Sequence, residues 1–206
     1  MKKLNHRNSN TNSFSCEHQQ PTLKGGSRLI GAWFCVFALA FIPGCSKEIG
    51  FNEEIILSDN TKIEISRVEH LRRVCEGLSC GWALDYSQVQ IHDGNDVLWK
   101  KQLIPLLLDK HEGKYFLVAT TIYCDDKVYG RPNPAYIQFE FVGAEWKRTE
   151  LMPHIFGRQA NLLIAPNWHS GESGSVSIEM KQTRNMIAGV SPYLKTLTKN
   201  TINNCN

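Results

Sequence analysis

From Glu53 onward the chain alternates apolar and polar residues with a period of two, broken at intervals by turn residues. In EEIILSDNTKIEISRV, Ile55 and Leu57 precede Asp59-Asn60 while Ile63 and Ile65 follow it, which predicts a β-hairpin. A second pair of strands is expected at Tyr86–Ile91 and Val97–Trp99, with Asp93-Gly94 turning between them. YFLVATTIYC, 115–124, is an aromatic and β-branched run suited to a central strand. In AYIQFEFV, Tyr136, Gln138 and Glu140 share one face and Ile137, Phe139 and Phe141 the other; Gly143-Ala144 then turns into a strand carrying Trp146. SVSIEMK, 175–181, predicts one more.

Helical patterns are short or interrupted. RVEHLRRVCEGL, 67–78, suits a short helix or capped loop, QLIPLLLD is broken by Pro105, and MIAGVSPYLKTLTK by Gly189 and Pro192. About seven strands with little helix predict a mainly β fold, an antiparallel sheet arranged as a sandwich, a meander or a partly open barrel.

A different pattern precedes this region. Leu29–Gly44, LIGAWFCVFALAFIPG, carries no charge and lies between Lys24/Arg28 and Cys45-Ser46-Lys47. A membrane-spanning helix needs roughly 20 apolar residues. A secretory signal needs a basic start, about 7–15 apolar residues and a small-residue exit, and this run fits that template better. Residues 1–28 are Asn/Ser-rich without apolar periodicity, too polar to build a core. The expected organisation is a cleaved signal over 1–44, a short tether over 45–52, and a single β-rich domain over 53–206.

Ile42-Pro43-Gly44-Cys45 resembles the lipobox of bacterial lipoproteins, in which cleavage precedes a cysteine whose sulfur is diacylated. Gly44 supplies the small residue before the cut, and Pro43 departs from the usual small or hydroxylated residue. The resemblance implies lipidation at Cys45 and a periplasm-facing domain held to a membrane of the cell envelope. Ser46 is the residue type associated with onward sorting to the outer membrane.

Removing the leader changes the charge. The chain carries +3, of which Lys2, Lys3, Arg7, Lys24 and Arg28 against Glu17 contribute +4, leaving −1 from Cys45 onward. Arg72-Arg73, Lys100-Lys101 and Lys147-Arg148 are isolated pairs, so no nucleic-acid partner is expected. Of seven cysteines, Cys16 and Cys35 leave with the signal and Cys45 takes lipid, so Cys75, Cys80, Cys124 and Cys205 remain as disulfide candidates. The spacing in CEGLSC favours Cys75 with Cys80 over the two other pairings, leaving Cys124 with Cys205. No metal is expected, because His70, His92, His111, His154 and His169 show no close pairing and no second closely spaced cysteine pair accompanies Cys75 and Cys80.

The segment YGRPNPAYIQFEFVGAEWKRTEL is similar to that of a family of uncharacterised proteobacterial lipoproteins. There a Gly-x-Pro-x-Pro-x-Tyr element, here Gly130, Pro132, Pro134 and Tyr136, precedes an aromatic strand and then Trp-x-Arg-x-x-Leu, here Trp146, Arg148 and Leu151. This resemblance implies location and fold, and no activity. Pro132 and Pro134 stiffen an extended approach to the strand, and Tyr136 and Trp146 are expected to pack on neighbouring strands. A stiffened loop loses little entropy on engagement, which makes Tyr129 and Arg131 candidate contacts for an envelope protein.

No residues are expected to be catalytic and no cofactor is expected. GESGS, 171–175, looks like the sequence around a trypsin-like nucleophile but has Glu172 and Ser175 where that family has Asp and Gly, and Ser175 also breaks the Gly-x-Ser-x-Gly elbow. There is no phosphate loop, dinucleotide fingerprint or His-Glu-x-x-His. The sequence therefore points to a lipid-anchored binding or structural module. The alternative is a periplasmic inhibitor or immunity protein against a toxin or lysozyme-like enzyme.

Overall fold

The computed structural model describes residues 14–15, 45–76, 79–93, 95–122, 126–164, 174–186 and 194–200. Its strands are β1 (Phe14–Ser15), β2 (Ser46–Ile56), β3 (Lys62–Glu76), β4 (Ser79–Asp93), β5 (Asn95–Lys101), β6 (Leu103–His111), β7 (Lys114–Thr121), β8 (Ile137–Val142), β9 (Glu145–Thr149) and β10 (Ser175–Val176). One 3-10 turn, Pro153–Ile155, and one helix, α1 (Ile178–Asn185), complete the elements. The fold is mainly β, as the alternation predicts, and is not closed into a barrel.

Two sheets form. The first has the order β1-β2-β3-β4-β5, antiparallel throughout, with β10 added parallel to β2; the second is an antiparallel meander, β6-β7-β8-β9. The chain crosses from one sheet to the other over Gln102 alone, between β5 and β6. Strand β7 is covered on both sides. Leu117 and Ala119 face the first sheet with Ile55, Ile65, Val89, Ile91 and Trp99, while Phe116 and Val118 face the later chain segments carrying Ile155, Ala160 and Leu197. The apolar period-two positions thus do what the hydrophobic effect requires of them, and bury one row per face.

The first sheet is longer than the second can cover. The shared core involves the β2 end near Ile55 and the β4 end near Ile91, whereas towards Cys45 the same face is covered by Leu163 and Val176, packed on Ile49, Phe51 and Leu71. The β2–β3 turn is fastened to β6 through Asp109, which is fully buried and accepts hydrogen bonds from Ser58 N at 2.9 Å and Ser58 Oγ at 3.1 Å, and from Arg158. Asn161 spans the same junction, donating to Leu108 O at 2.8 Å and Ile56 O at 3.2 Å.

Four local expectations are corrected. Residues 45–52 are not a tether: β2 starts at Ser46, and Ile49 and Phe51 are buried, because this stretch continues the alternation of Glu53–Ile56. Residues 67–76 are strand rather than helix or loop, since β4 pairs along the whole stretch and β2 along 67–72, and these ladders override a weak helical pattern. The interrupted helical pattern of QLIPLLLD is strand β6 instead: Pro105 disfavours a helix, but an edge strand tolerates its missing donor, with a register shift between Pro105 and Leu107. Only Ser175 and Val176 of 175–181 are strand, and Ile178–Asn185 coils into α1, with Ser177 Oγ accepting from Met180 N at 3.2 Å.

Truncating Leu117, which is fully buried between two layers, to Ala is expected to cost about 2–5 kcal/mol in urea unfolding. The same change at Leu98, half exposed on the outer face of β5, should stay within about 0.5 kcal/mol, and equal effects would refute this placement of the core.

Candidate functional site

Two polar arrangements stand out, one buried and one open. The buried one lies on the inner face of the first sheet, where its two apolar clusters meet. Along β2 the buried row reads Ile49, Phe51, Glu53, Ile55, and along β3 it reads Ile65, Arg67, Glu69, Leu71, so the alternation itself carries three charges into the interior. Arg67 Nη1 donates to Glu53 Oε2 and to Leu163 O, both at 2.9 Å, and Nη2 donates to Glu69, which also accepts from Ser87 Oγ. Glu53 Oε1 accepts from Leu163 N at 2.7 Å and from Lys181 Nζ at 3.1 Å. The ammonium of Lys181, reaching in from α1, donates further to Glu54 O at 2.6 Å and Asn161 O at 2.7 Å. Arg67 also lies over the Phe51 ring, 5.3 Å from its centroid.

Glu53, Arg67, Glu69, Ser87 and Lys181 are each at most 2 % exposed, so no substrate reaches them and the cluster acts as structure. Burial raises the Glu69 carboxyl above the ordinary glutamate range, against the pull of Arg67 and Ser87, and burial likewise lowers the Lys181 ammonium against the pull of Glu53. Glu54, the next residue along β2, points to the opposite face and pairs outside with Lys62 at 2.9 Å. The signal for this cluster was present in the phase of the strands, since Glu53, Arg67 and Glu69 occupy the apolar register; Lys181 carried no such signal.

The open arrangement is a groove of about 750 Å³ between the proline loop and the β8–β9 hairpin, walled by Pro132, Pro134 and Tyr136 and rimmed by Arg148, Thr149 and Glu150. The Asn133-Pro134 bond in its wall is cis. Tyr136 is buried and its hydroxyl accepts from Thr198 N at 3.3 Å; Gln138 at the floor donates to Thr149 Oγ1 at 3.3 Å and accepts from Met152 N at 3.2 Å. Of the two candidate contacts in the sequence, Arg131 is exposed beside this loop, while Tyr129 is half-buried, edge-on to Phe139 with ring centroids 6.1 Å apart and with the Arg148 guanidinium 5.8 Å from its centroid. Burial raises the Tyr129 hydroxyl pKa, with Asp126 adding to it. Tyr129 therefore props up a groove residue, Arg148, from behind.

Among the other residues singled out, Cys75 and Cys80 face each other across the β3–β4 ladder with their sulfurs at 2.09 Å. Cys45 stands immediately before β2. Cys124 and Cys205, the apolar run Leu29–Gly44 expected to be a signal, His169 and Gly171–Ser173 lie outside the described residues. Ser175 is in β10, and the preceding Gly174 carbonyl accepts from Asn52 N at 2.9 Å. The histidines are dispersed: His70 stacks on Tyr86 at 4.5 Å, His92 meets Ser66 at 3.0 Å, and His111 and His154 approach each other at 4.9 Å. Among the described residues no group of three or more His, Cys, Asp or Glu is placed to hold a metal ion, and no helix is long and apolar enough to cross a membrane.

No protein-family model, curated protein or solved structure matches the chain.

Arg67→Met leaves Glu53 and Glu69 without their guanidinium and is expected to cost about 3–5 kcal/mol in urea unfolding. For Glu69, a raised native pKa means stability that is complete below the ordinary value of 4.5 and is lost as pH rises through the native value. With Arg67 and Ser87 donating to it and Glu53 on the other side of the guanidinium, the stability of the wild type relative to Glu69→Gln should fall as pH climbs above 4.5, and a flat difference would refute the assignment.

Proposed function

We propose that this protein is a cell-envelope lipoprotein, anchored by acyl chains on Cys45, whose β-sandwich offers the proline-walled groove to a protein partner. The observation that carries this reading is the position of the groove. It belongs to the second sheet, which packs on the half of the first sheet remote from Cys45, near Ile55. Ten residues of extended β2 separate Cys45 from Ile55, about 33 Å at strand rise. An anchor at Cys45 therefore leaves the groove facing away from the membrane.

The groove suits a binding role in its chemistry. Pro132, Pro134 and the buried Tyr136 give it a stiff apolar wall, so little conformational entropy is lost on engagement, and Arg148 and Glu150 supply charges of both signs at the rim. Strand β9 beside it is an edge strand whose second side meets no other strand of the sheet among the described residues, a further means of holding an extended segment through backbone hydrogen bonds.

The anchor is tested by intact mass measurement on protein extracted from membranes: a chain beginning at acylated Cys45 is expected, and an unacylated Cys45 sinks the lipoprotein reading. The groove is tested by placing a photo-crosslinking residue at Thr149 or, as control, at exposed Leu98 on the outer face of the first sheet. A discrete protein adduct at Thr149, absent at Leu98 and lost on adding Arg148→Glu, is expected; equal adducts at both positions would remove the groove from consideration.

A further inference from the structure

The β3–β4 hairpin outruns both of its neighbours. Strand β2 pairs with β3 only as far as Arg72, and β5 pairs with β4 only from Ser87 onward. Beyond them the hairpin continues as a two-stranded arm, with Arg73 opposite Trp82, Val74 opposite Gly81, and Cys75 opposite Cys80. A two-stranded ribbon is marginal in water, and the Cys75–Cys80 pair, with Cα atoms 4.0 Å apart, closes its end. Along one face the arm leads outward from Leu71 and Leu84, which pack on Ile49 and Phe51, to Arg73 and Trp82. Trp82 is 40 % exposed at this point, a large indole held away from the core.

The surroundings of this arm identify what would cover it. The Cys45 carbonyl accepts a hydrogen bond from Arg73 N at 3.0 Å, so Cys45, Arg73 and Trp82 stand in one row across three strands. Two strand spacings put Trp82 about 10 Å from the Cys45 backbone. Because β2 begins at Ser46, no slack separates the cysteine from the folded body. The apolar run Leu29–Gly44 ends one residue before the cysteine, so on the proposed envelope reading hydrocarbon attaches here, whether that run is retained or replaced by acyl chains on Cys45. Tryptophan and arginine are the side chains that suit such a depth, the ring at the headgroup boundary and the guanidinium on phosphate. Arg72 is turned to Asp85, 3.9 Å away, which leaves Arg73 as the cation beside Trp82.

We propose that the disulfide-closed β3–β4 arm is a membrane foot, with Trp82 and Arg73 resting in the phospholipid headgroup layer beside Cys45. The inference rests on the reading that the chain is attached to a membrane at Cys45. Its occupant is the lipid surface itself, and its effect is to fix the tilt of the sandwich so that the groove points outward.

The test uses the full chain, expressed in a bacterium that processes lipoproteins and reconstituted into phosphatidylcholine/phosphatidylglycerol vesicles with or without lipids brominated near the headgroup. Tryptophan fluorescence of the wild type is expected to be partly quenched by the brominated lipid, with that quenching lost in Trp82→Phe and weakened in Arg73→Glu, while circular dichroism of both variants stays that of the wild type. Equal quenching in wild type and Trp82→Phe overturns the foot, as does a Trp82 shielded from aqueous iodide yet untouched by brominated lipid, which would mean that protein covers the arm. Intact mass of the same samples separates the two readings. Acylated Cys45 without Trp82 quenching keeps the anchor and discards the foot. Trp82 quenching in a chain that retains residues 1–44 keeps the foot and discards the acyl anchor. An unacylated chain that does not associate with vesicles discards both.

Discussion

The guanidinium of Arg67 is the joint on which the architecture depends. Strands of 11 and 15 residues make the first sheet longer than the four-stranded meander packed against it, so its inner face needs two covers. One is the second sheet, and the other is chain from far along the sequence, bearing Leu163 and Val176. Arg67 stands where these covers meet, tied to Glu53 and Glu69 within its own sheet and to the Leu163 carbonyl outside it. A buried cation of this kind is tolerable only when every neighbour is in place, because desolvating it without partners costs several kcal/mol. That requirement gives the seam specificity that an apolar patch would lack, since aliphatic side chains would accept many positions of the 161–164 segment.

Lys181 extends the same logic to the helix. Its ammonium meets a carboxylate and two backbone carbonyls, which holds α1 against β2 even though the helix carries few apolar residues of its own. The remaining unpaired polar atom of the cluster is Arg67 Nε, so the network is nearly but not wholly satisfied. The paired charges of Glu53, Arg67, Glu69 and Lys181 lie sealed inside, whereas Arg148 and Glu150 line the open groove beside Pro132.

How much was legible in the sequence depended on whether a residue's environment lay close by in the chain. The Ile55–Ile65 hairpin and the Phe139–Trp146 pair of strands were readable because turn residues and their alternating partners are adjacent. Residues 67–76 were not, because Arg72 and Arg73 look unfit for a strand until the β4 ladder is present, with β2 on the other side as far as Arg72. The division of 175–181 between strand and helix was hidden for a similar reason: Ser175 and Val176 pair with Asn52 and Glu53, more than a hundred positions earlier. Of the site, the proline loop was visible as a stiff element, and Tyr129 as a candidate contact. That Tyr129 would back Arg148, and that the loop would close a groove with Thr149 and Glu150, followed only from the pairing of β8 with β9.

The direction of β2 has a mechanical consequence. Its eleven residues run antiparallel to β3 and begin next to Cys45, so a pull applied through that cysteine acts along the strand axis. Interstrand hydrogen bonds in an antiparallel ladder lie perpendicular to the strands. Such a pull loads the rungs together, in shear, whereas a load applied across the strand would peel them one after another. The end of the chain that meets the apolar segment is thus joined to the body in the geometry best able to bear tension.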